Sequence, residues 1–269
     1  MRVIFGAHSH VIREPRGPTM NASAEHTRDM ESSVRSFFRA AALGLLIASP
    51  TASATGDGTT LAESRIFIEY NSSDNDLGFH VFLDGEDWKT LSIVAPNGRV
   101  IFNVEGKSGY GKFGLTELFT EGAEPSLFDV PLGKLLALFP EGWYRFVGTL
   151  AEGGAITGQG RLSHAVPAGP DVSCTRNVVE NRLRICWDPV VDKAVDPAGG
   201  VFPDRKIKVV EYEIIVGSFE VTLPASNSRM RVTVPPEFVE SLEPGEHGFE
   251  VLAIDKSGNQ TISAGSVWK

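Results

Sequence analysis

The sequence predicts an all-β protein built from two β-sandwich-like domains, the first of which carries one short helix. Apolar residues recur at every second position in many strand-length runs, as expected for strands with one buried face. Turn residues, mainly Pro, Gly, Asn and Asp, separate these runs at short intervals. A Pro/Gly-rich segment at residues 165–171 divides the chain behind its N-terminal region, and a length of 269 residues accommodates two domains.

The N-terminal region is typical of a secretory signal. Arg35 and Arg39 precede the apolar run 40–48, and Ala52 and Ala54 supply the small-x-small pattern of a signal-peptidase site. The apolar run is too short for a permanent bilayer anchor, so we expect no transmembrane anchor in the mature chain. These features predict a secreted protein, either extracellular or periplasmic.

The signal is assigned to residues 30–54, and Met30 is a natural start for it. Residues 1–29 mix His, Arg and Pro without periodicity and are interpreted as a non-structural extension. Either the gene start is over-extended or a disordered segment precedes the signal, so both Met1 and Met30 stay open as the start.

The charge balance excludes one class of partner. The formal net charge is −9, and it becomes −11 for residues 55–269, because residues 1–54 hold six basic and four acidic residues. Phosphate backbones are bound by basic stripes, so the composition argues against nucleic acid.

The first domain is predicted to span residues 62–167. An amphipathic helix is expected at 131–139, and 115–119 is interpreted as a helical turn. The predicted strands are 65–70, 77–83, 90–94, 100–104, 143–150 and 156–162.

An acidic cluster in this domain is the candidate metal site. Oxygen ligands suit Ca²⁺, which takes six to eight of them, but the spacing does not match an EF-hand loop. The alternative is a pair of acidic turns solvated at the strand ends, because Asp, Asn and Gly are ordinary turn residues. Calcium is the single cofactor considered, and its candidate ligands are Asp74, Asp76, Asp84, Glu86 and Asp87.

Catalytic motifs are not recognisable in the sequence, so no catalytic residue is assigned. Residues 109–114 match G-x-G-x-x-G, but an antiparallel context and Pro125 favour a Gly-rich turn. There is no G-x-S-x-G elbow. His80 is expected to face outward from its strand, and no pair of carboxylates is singled out for glycoside hydrolysis.

The second domain is predicted to span residues 168–269, behind a linker of limited flexibility at 165–171. It contains Cys174 and Cys186 on either side of a turn within 177–181. In an exported protein a cross-strand disulfide between them is expected. The alternative is two unpaired thiols, because pairing requires the Cα atoms to lie within about 7 Å.

The second domain resembles a fibronectin type III domain. The resemblance implies an immunoglobulin-like sandwich with Trp187 and Tyr212 in the core. His247 stands where the family has its corner tyrosine, and we expect it to bond to the backbone. The whole mature chain is similar to an uncharacterised group of secreted bacterial proteins with such domains. The matching features are Pro170, L-x-I-x-W-x-P at 183–189, Y-x-I at 212–214, L-x-P-G at 242–245, F-x-V-x-A at 249–253 and Gly258-Asn259.

These observations favour a secreted, non-catalytic β-module protein that binds or adheres to an extracellular protein or polysaccharide. The alternative is a secreted glycan-active hydrolase with a fibronectin type III accessory domain. A paired-carboxylate cleft with a raised pKa would support the hydrolase.

Overall fold

A computed structural model gives the fold of the chain. The chain forms two compact units, Met1–Leu46 and Ile47–Lys269. In the first unit, β1 (Ile4–Gly6) pairs antiparallel with β2 (Phe38–Ala40). The remainder of the predicted extension and of the predicted signal lies outside the described residues. The structure describes residues 4–6, 38–40, 58–173 and 182–269.

The second unit consists mostly of strands, and its helices in the described residues are short. The all-β class is confirmed. No helix in the ranges that the structure describes is long and apolar enough to cross a membrane. The strands are β3 (Thr59–Thr60), β4 (Glu63–Asn71), β5 (Asp76–Val94), β6 (Val100–Glu105), β7 (Leu115–Glu121), β8 (Gly142–Leu150), β9 (Ala155–Leu162), β10 (Leu183–Trp187), β11 (Val209–Val216), β12 (Phe219–Pro224), β13 (Met230–Val234), β14 (Glu246–Asp255) and β15 (Gln260–Trp268); the helices are α1 (Ser108–Phe113), α2 (Leu132–Leu138) and α3 (Pro236–Ser241).

The N-terminal half, residues 58–167, is organised around the long strand β5. The first part of β5 pairs with β4 and β7, and its last part pairs with β6 and β8. Strand β9 continues from β8, and β3 adds to β9 in parallel. The inward side chains of these strands and of α2 form one apolar core, in which Trp88, Tyr144 and Phe146 are fully buried.

Two predictions for this half were wrong. Residues 77–83 and 90–94 belong to one strand, because β5 runs through the acidic residues 84–87 with irregular register instead of turning there. The predicted helical turn at 115–119 is strand β7, which pairs with β5 from Trp88 to His80. A short apolar run fits both a strand and a helix, and the pairing with β5 settles its conformation.

The C-terminal half, residues 168–269, contains two facing sets of strands. Four strands follow the order β12-β11-β14-β15, and β10 pairs with β13. Val172 adds a bridge to Trp187 on β10. The core between the two sets includes Trp187 and Tyr212, whose ring centroids lie 5.4 Å apart.

The two halves are joined by hydrogen bonds rather than by a free tether. Strand β15 pairs in parallel with β4. The predicted linker is held in place, because the hydroxyl of Thr261 donates to the carbonyl of Pro167 at 2.6 Å. Val166 in the same segment is fully buried.

Candidate functional site

An exposed tryptophan stands on the outer face of the sheet formed by β8 and β9. Alternation along β8 buries Tyr144 and Phe146 in the core and directs Trp143 to solvent, where 56% of it is exposed. Trp143 lies directly opposite Arg161 on β9, and Arg145 lies opposite Gln159. Directly opposed residues of an antiparallel pair have neighbouring side chains, so the indole and the Arg161 guanidinium share one surface.

Arg161 also belongs to a cleft where the two halves meet. The cleft has a volume of about 380 Å³, within the range of ligand-binding sites. Its walls come from the end of β9, the loop before β11 and the turn between β14 and β15. The lining residues are Arg161, Ser163, Ala165, Arg205, Lys206, Asp255, Lys256 and Ser257.

Buried polar groups fix the turn between β14 and β15. The carboxylate of Asp255 is 1% exposed and accepts hydrogen bonds from the main-chain N–H groups of Lys208 and Ser257, at 2.6 and 2.9 Å. Gly258 has a φ of 88°, a left-handed conformation that favours glycine. The turn therefore presents Lys256 from a rigid support.

Asn259 ties this turn to the N-terminal half. Its side chain is fully buried and accepts from the N–H of Ile68 at 2.8 Å. It also donates to the carbonyls of Ser163 and Ala165, at 2.8 and 3.0 Å. One side-chain amide thus satisfies three main-chain groups beneath the cleft. These bonds fix the turn between β14 and β15 to the segment 163–165 of the N-terminal half.

The guanidinium of Arg205 is oriented by Glu141. Its Nη2 and Nε donate to Glu141 Oε2 at 2.7 and 3.3 Å. These bonds lower the pKa of Glu141 to about 2, and the N–H of His164 contributes in the same direction. Glu141 therefore balances the charge of Arg205.

The remaining cations of the cleft are not balanced in this way. Among the described residues, Arg161, Lys206 and Lys256 have no acidic partner within ion-pairing distance. Four cations and one buried carboxylate, Asp255, line the cleft, so it carries net positive charge on a chain whose net charge is −9. Such a site attracts a ligand that carries negative charge.

The five acidic residues predicted as a calcium site are not brought together. Asp74 and Asp76 lie at the start of β5, whereas Asp84, Glu86 and Asp87 lie in its middle. The strand is extended over the eight residue steps from Asp76 to Asp84, which separates the two groups by about 26 Å. The two groups of acidic residues are therefore far apart along β5, and calcium binding stays a prediction.

Asp84 has carboxylate neighbours on both adjacent strands. It lies opposite Glu63 on β4 and Glu117 on β7. Burial raises the pKa of Glu117, and the charge of Asp84 raises it further. The lining residues of the cleft include none of these three acids.

The expectation that His80 faces solvent was wrong. Its side chain points away from the apolar core, as the alternation predicts, yet it is fully buried. The Phe67 ring stacks on it at 5.2 Å and the Phe119 ring contacts it at 5.9 Å. Phe119 is contributed by β7, the strand that the sequence did not predict.

Of the two cysteines, Cys186 is buried on β10. Cys174 lies outside the described residues, so the disulfide stays a prediction.

The cleft itself was missed by sequence reasoning. Arg161, Arg205 and Lys256 come from separate parts of the chain, and nothing in their local sequence links them. Trp143 carried a usable signal, because it alternates with the buried Tyr144 and Phe146 and must then face outward.

Comparison with known proteins yields only remote similarity. No protein-family profile matches the chain, and no curated protein matches it. Among solved structures, a 1.5-MDa bacterial ice-binding adhesin is similar at 14% identity and a TM-score of 0.25, covering 78% of this chain and 64% of that chain. A tetra-tandem repeat from the extending region of a large adhesion protein is similar at 12% identity and a TM-score of 0.25, and the match covers 77% of this chain and 49% of that chain.

The BSP domain of a biofilm-associated protein is similar at 13% identity and a TM-score of 0.24, covering 78% of this chain and 30% of that chain. The chain thus spans less than two thirds of each of these three structures. At such TM-scores, function has to be argued from the geometry of this chain itself.

Proposed function

We propose that this chain is a secreted, non-catalytic β-module protein that binds an acidic polysaccharide. The observation that carries the proposal is the position of Trp143 opposite Arg161, which itself lines a cleft with three cations that have no acidic partner within ion-pairing distance. The cleft and the Trp143 face are continuous because Arg161 belongs to both.

The combination of groups favours a sugar over a simple anion. An exposed indole offers a flat apolar surface on which the C–H face of a pyranose ring can stack. Guanidinium groups bind carboxylate or sulfate groups in a forked geometry. Gln159 and Arg145 extend the same sheet face and supply further donors to hydroxyl groups.

The C-terminal half is proposed to be a fibronectin type III domain, with boundaries at 168–269 behind a first domain at 62–167. The strand order β12-β11-β14-β15 facing β10 and β13 supports this assignment. The contact between Trp187 and Tyr212 supports it as well. A fold of this kind does not by itself determine a ligand, and here the residues of the cleft indicate one.

Export is proposed from residues 30–54, whose charged start, apolar run and A-x-A end fit a secretory signal. The predicted Cys174–Cys186 bond is consistent with an oxidising compartment.

Binding of a polyuronate and of neutral dextran, measured by isothermal titration calorimetry, tests the proposal. The polyuronate is expected to bind and dextran is not. Trp143→Ala and Arg161→Ala are each expected to weaken binding about 10-fold or more. Trp268→Ala and Arg184→Ala alter an exposed tryptophan and an exposed arginine away from the cleft and should bind normally.

Two results would contradict the proposal. The first is equal binding of dextran, or polyuronate binding that survives both cleft substitutions. The second is binding of poly-glutamate that matches the polyuronate and does not depend on Trp143, which would identify an acidic protein as the partner.

A second candidate, a glycan-active hydrolase, is supported by one observation. Asp84 and Glu117 lie opposite each other on β5 and β7, and the pKa of Glu117 is raised. A carboxyl group with a raised pKa beside a second carboxylate is the kind of pair that glycoside hydrolysis uses. Release of reducing sugar that Glu117→Gln abolishes would favour the hydrolase over the binding protein.

A further inference from the structure

Glu69, His80 and Glu124 converge away from the cleft, on the outer side of strands β4 and β5. The Nε2 atom of His80 lies 3.4 Å from Glu124 Oε1 and 3.9 Å from Glu69 Oε1. One ligand atom from each of the three residues lies within 4.8 Å of the other two. The group therefore contributes one imidazole and two carboxylates to a single point.

The backbone explains why the three side chains meet. Glu69 on β4 lies opposite Gly78 on β5, and His80 follows two residues later on the same side of the strand. Glu124 belongs to the loop after β7 and lies over Gly78. A Cβ atom at Gly78 would stand 2.7 Å from Glu124 Oε1, so glycine is what allows this carboxylate to reach His80.

The surroundings hold the side chains in place. Phe67 stacks on the His80 ring and fixes its plane. The side-chain amide of Gln260 donates to Oε2 of Glu69, which leaves Oε1 directed at His80. Outer contacts of this kind orient the ligands of metal sites.

The separation of His80 Nε2 and Glu124 Oε1 fits two ligands of one ion better than a direct hydrogen bond, and Glu69 Oε1 lies slightly farther from His80. A nitrogen–oxygen hydrogen bond usually measures about 2.7–3.2 Å, shorter than both separations. Two ligands bound tetrahedrally at about 2.0–2.2 Å from one ion lie about 3.4 Å apart. The side chains of Glu69 and His80 are almost fully buried, so an ion held between them would be shielded from bulk solvent.

We propose that Glu69, His80 and Glu124 bind a divalent first-row transition-metal ion, with Zn²⁺ as the best match. An imidazole with two carboxylates suits this class, whereas Ca²⁺ and Mg²⁺ take oxygen ligands in larger numbers. The side chain of Glu124 is 14% exposed, so water can reach a fourth position from its side. The ion would join β4, β5 and the loop after β7, which makes its role structural.

The test uses the untagged full chain, stripped with a chelator and titrated with Zn²⁺, and with Co²⁺ as a spectroscopic probe. One ion per chain, a rise in melting temperature and a visible Co²⁺ absorption band are expected. Glu124→Gln should weaken Zn²⁺ binding about 10-fold or more and remove the band. Glu86→Gln alters an exposed acid on the same strand as His80 and should behave as the unchanged chain.

His80→Ala should also abolish binding, and Glu124→Gln decides the question if His80→Ala fails to fold. His8, His10 and His26 are present in every variant, so their background binding cancels in the comparison. Zn²⁺ binding that Glu124→Gln leaves unchanged would overturn the proposal. So would a chain that takes up no Zn²⁺ and whose His80 is an imidazolium by NMR, because an ion-paired triad would then replace the metal.

Discussion

The imidazole of His247 donates its Nε2 hydrogen to the main-chain carbonyl of Glu243, at a distance of 2.7 Å. His247 is the second residue of β14, and Glu243 lies in the loop that follows α3. The bond joins the loop after α3 to the start of β14, where the chain enters the four strands β12-β11-β14-β15. The proposed fibronectin type III assignment expects a tyrosine at this corner, and in this chain His247 makes a bond to the backbone there.

Replacing His247 tests the importance of the corner. His247→Ala is expected to lower the free energy of unfolding by about 1–2 kcal/mol, because the carbonyl of Glu243 loses its donor. His247→Tyr should retain most of the stability. Urea denaturation measures both, with Glu246→Ala at the neighbouring exposed position as the control. Equal stability of His247→Ala and the unchanged chain would contradict a structural role for the bond.

Asn259 should determine whether the two halves unfold together. Asn259→Ala leaves the N–H of Ile68 and the carbonyls of Ser163 and Ala165 without their side-chain partner. We expect a loss of about 2–4 kcal/mol and a calorimetric transition that splits in two.

Asn103→Ala is the matched control, because Asn103 is exposed on β6. A single, unshifted transition for Asn259→Ala would show that the halves are coupled by other contacts.

Glu141 should make stability depend on acid pH. Its pKa falls from 4.5 to about 2 in the folded chain, chiefly through hydrogen bonds from Arg205. A lowered pKa stabilises the folded chain above the unfolded value, and this contribution is lost as the pH falls from 4.5 towards 2. Glu141→Gln should therefore flatten the stability profile across that window, whereas Glu152→Gln at an exposed turn should not. A profile that Glu141→Gln leaves unchanged would count against the pairing with Arg205.

Glu117 should make stability depend on pH in the opposite direction from Glu141. Burial and then the charge of Asp84 raise its pKa above the ordinary 4.5. The folded chain therefore binds this proton more tightly than the unfolded chain, and stability decreases as the pH rises through the two pKa values. Glu117→Gln should be more stable than the unchanged chain at neutral pH and equal to it in acid.

Asp84→Asn gives an independent check, because it removes the charge that raises the Glu117 pKa. NMR titration of Glu117 should show a lower pKa in that variant. An unchanged pKa would leave burial as the sole cause.

The predicted bond between Cys174 and Cys186 has a chemical test. It would close a loop of about a dozen residues and add on the order of 3 kcal/mol to stability. Denatured but unreduced protein should resist alkylation, and reduction should make both thiols reactive. Alkylation of both cysteines without reductant would favour the unpaired alternative.

Period-2 alternation predicted several strands of the first domain well, including β4, β8 and β9. It failed where tertiary pairing determines the conformation. Nothing local to 84–87 reveals that acidic residues lie inside β5, because the partners of Asp84 on β4 and β7 are 21 and 33 residues away in sequence. The apolar run in β7 is too short for its sequence pattern to distinguish a strand from a helix. Its pairing with β5 makes it a strand.

The same limit applies to the candidate sites. Alternation along β8 carries the orientation of Trp143, but the cleft that Arg161 shares with Lys256 depends on how two halves of the chain meet. His80 alternated correctly and was still assigned to solvent, since periodicity identifies the side of a strand and not what covers it. Glu124 is a loop residue whose position depends on the missing side chain of Gly78.

The parallel pairing of β15 with β4 has a consequence for the history and the engineering of this chain. A multidomain protein whose modules are joined by flexible linkers can be truncated, rearranged or extended one module at a time. Here, a cut between residues 167 and 168 would remove β15 from its place beside β4 and separate Asn259 from the carbonyls that it bonds. The two modules are therefore expected to be expressed, inherited and recombined as one indivisible pair.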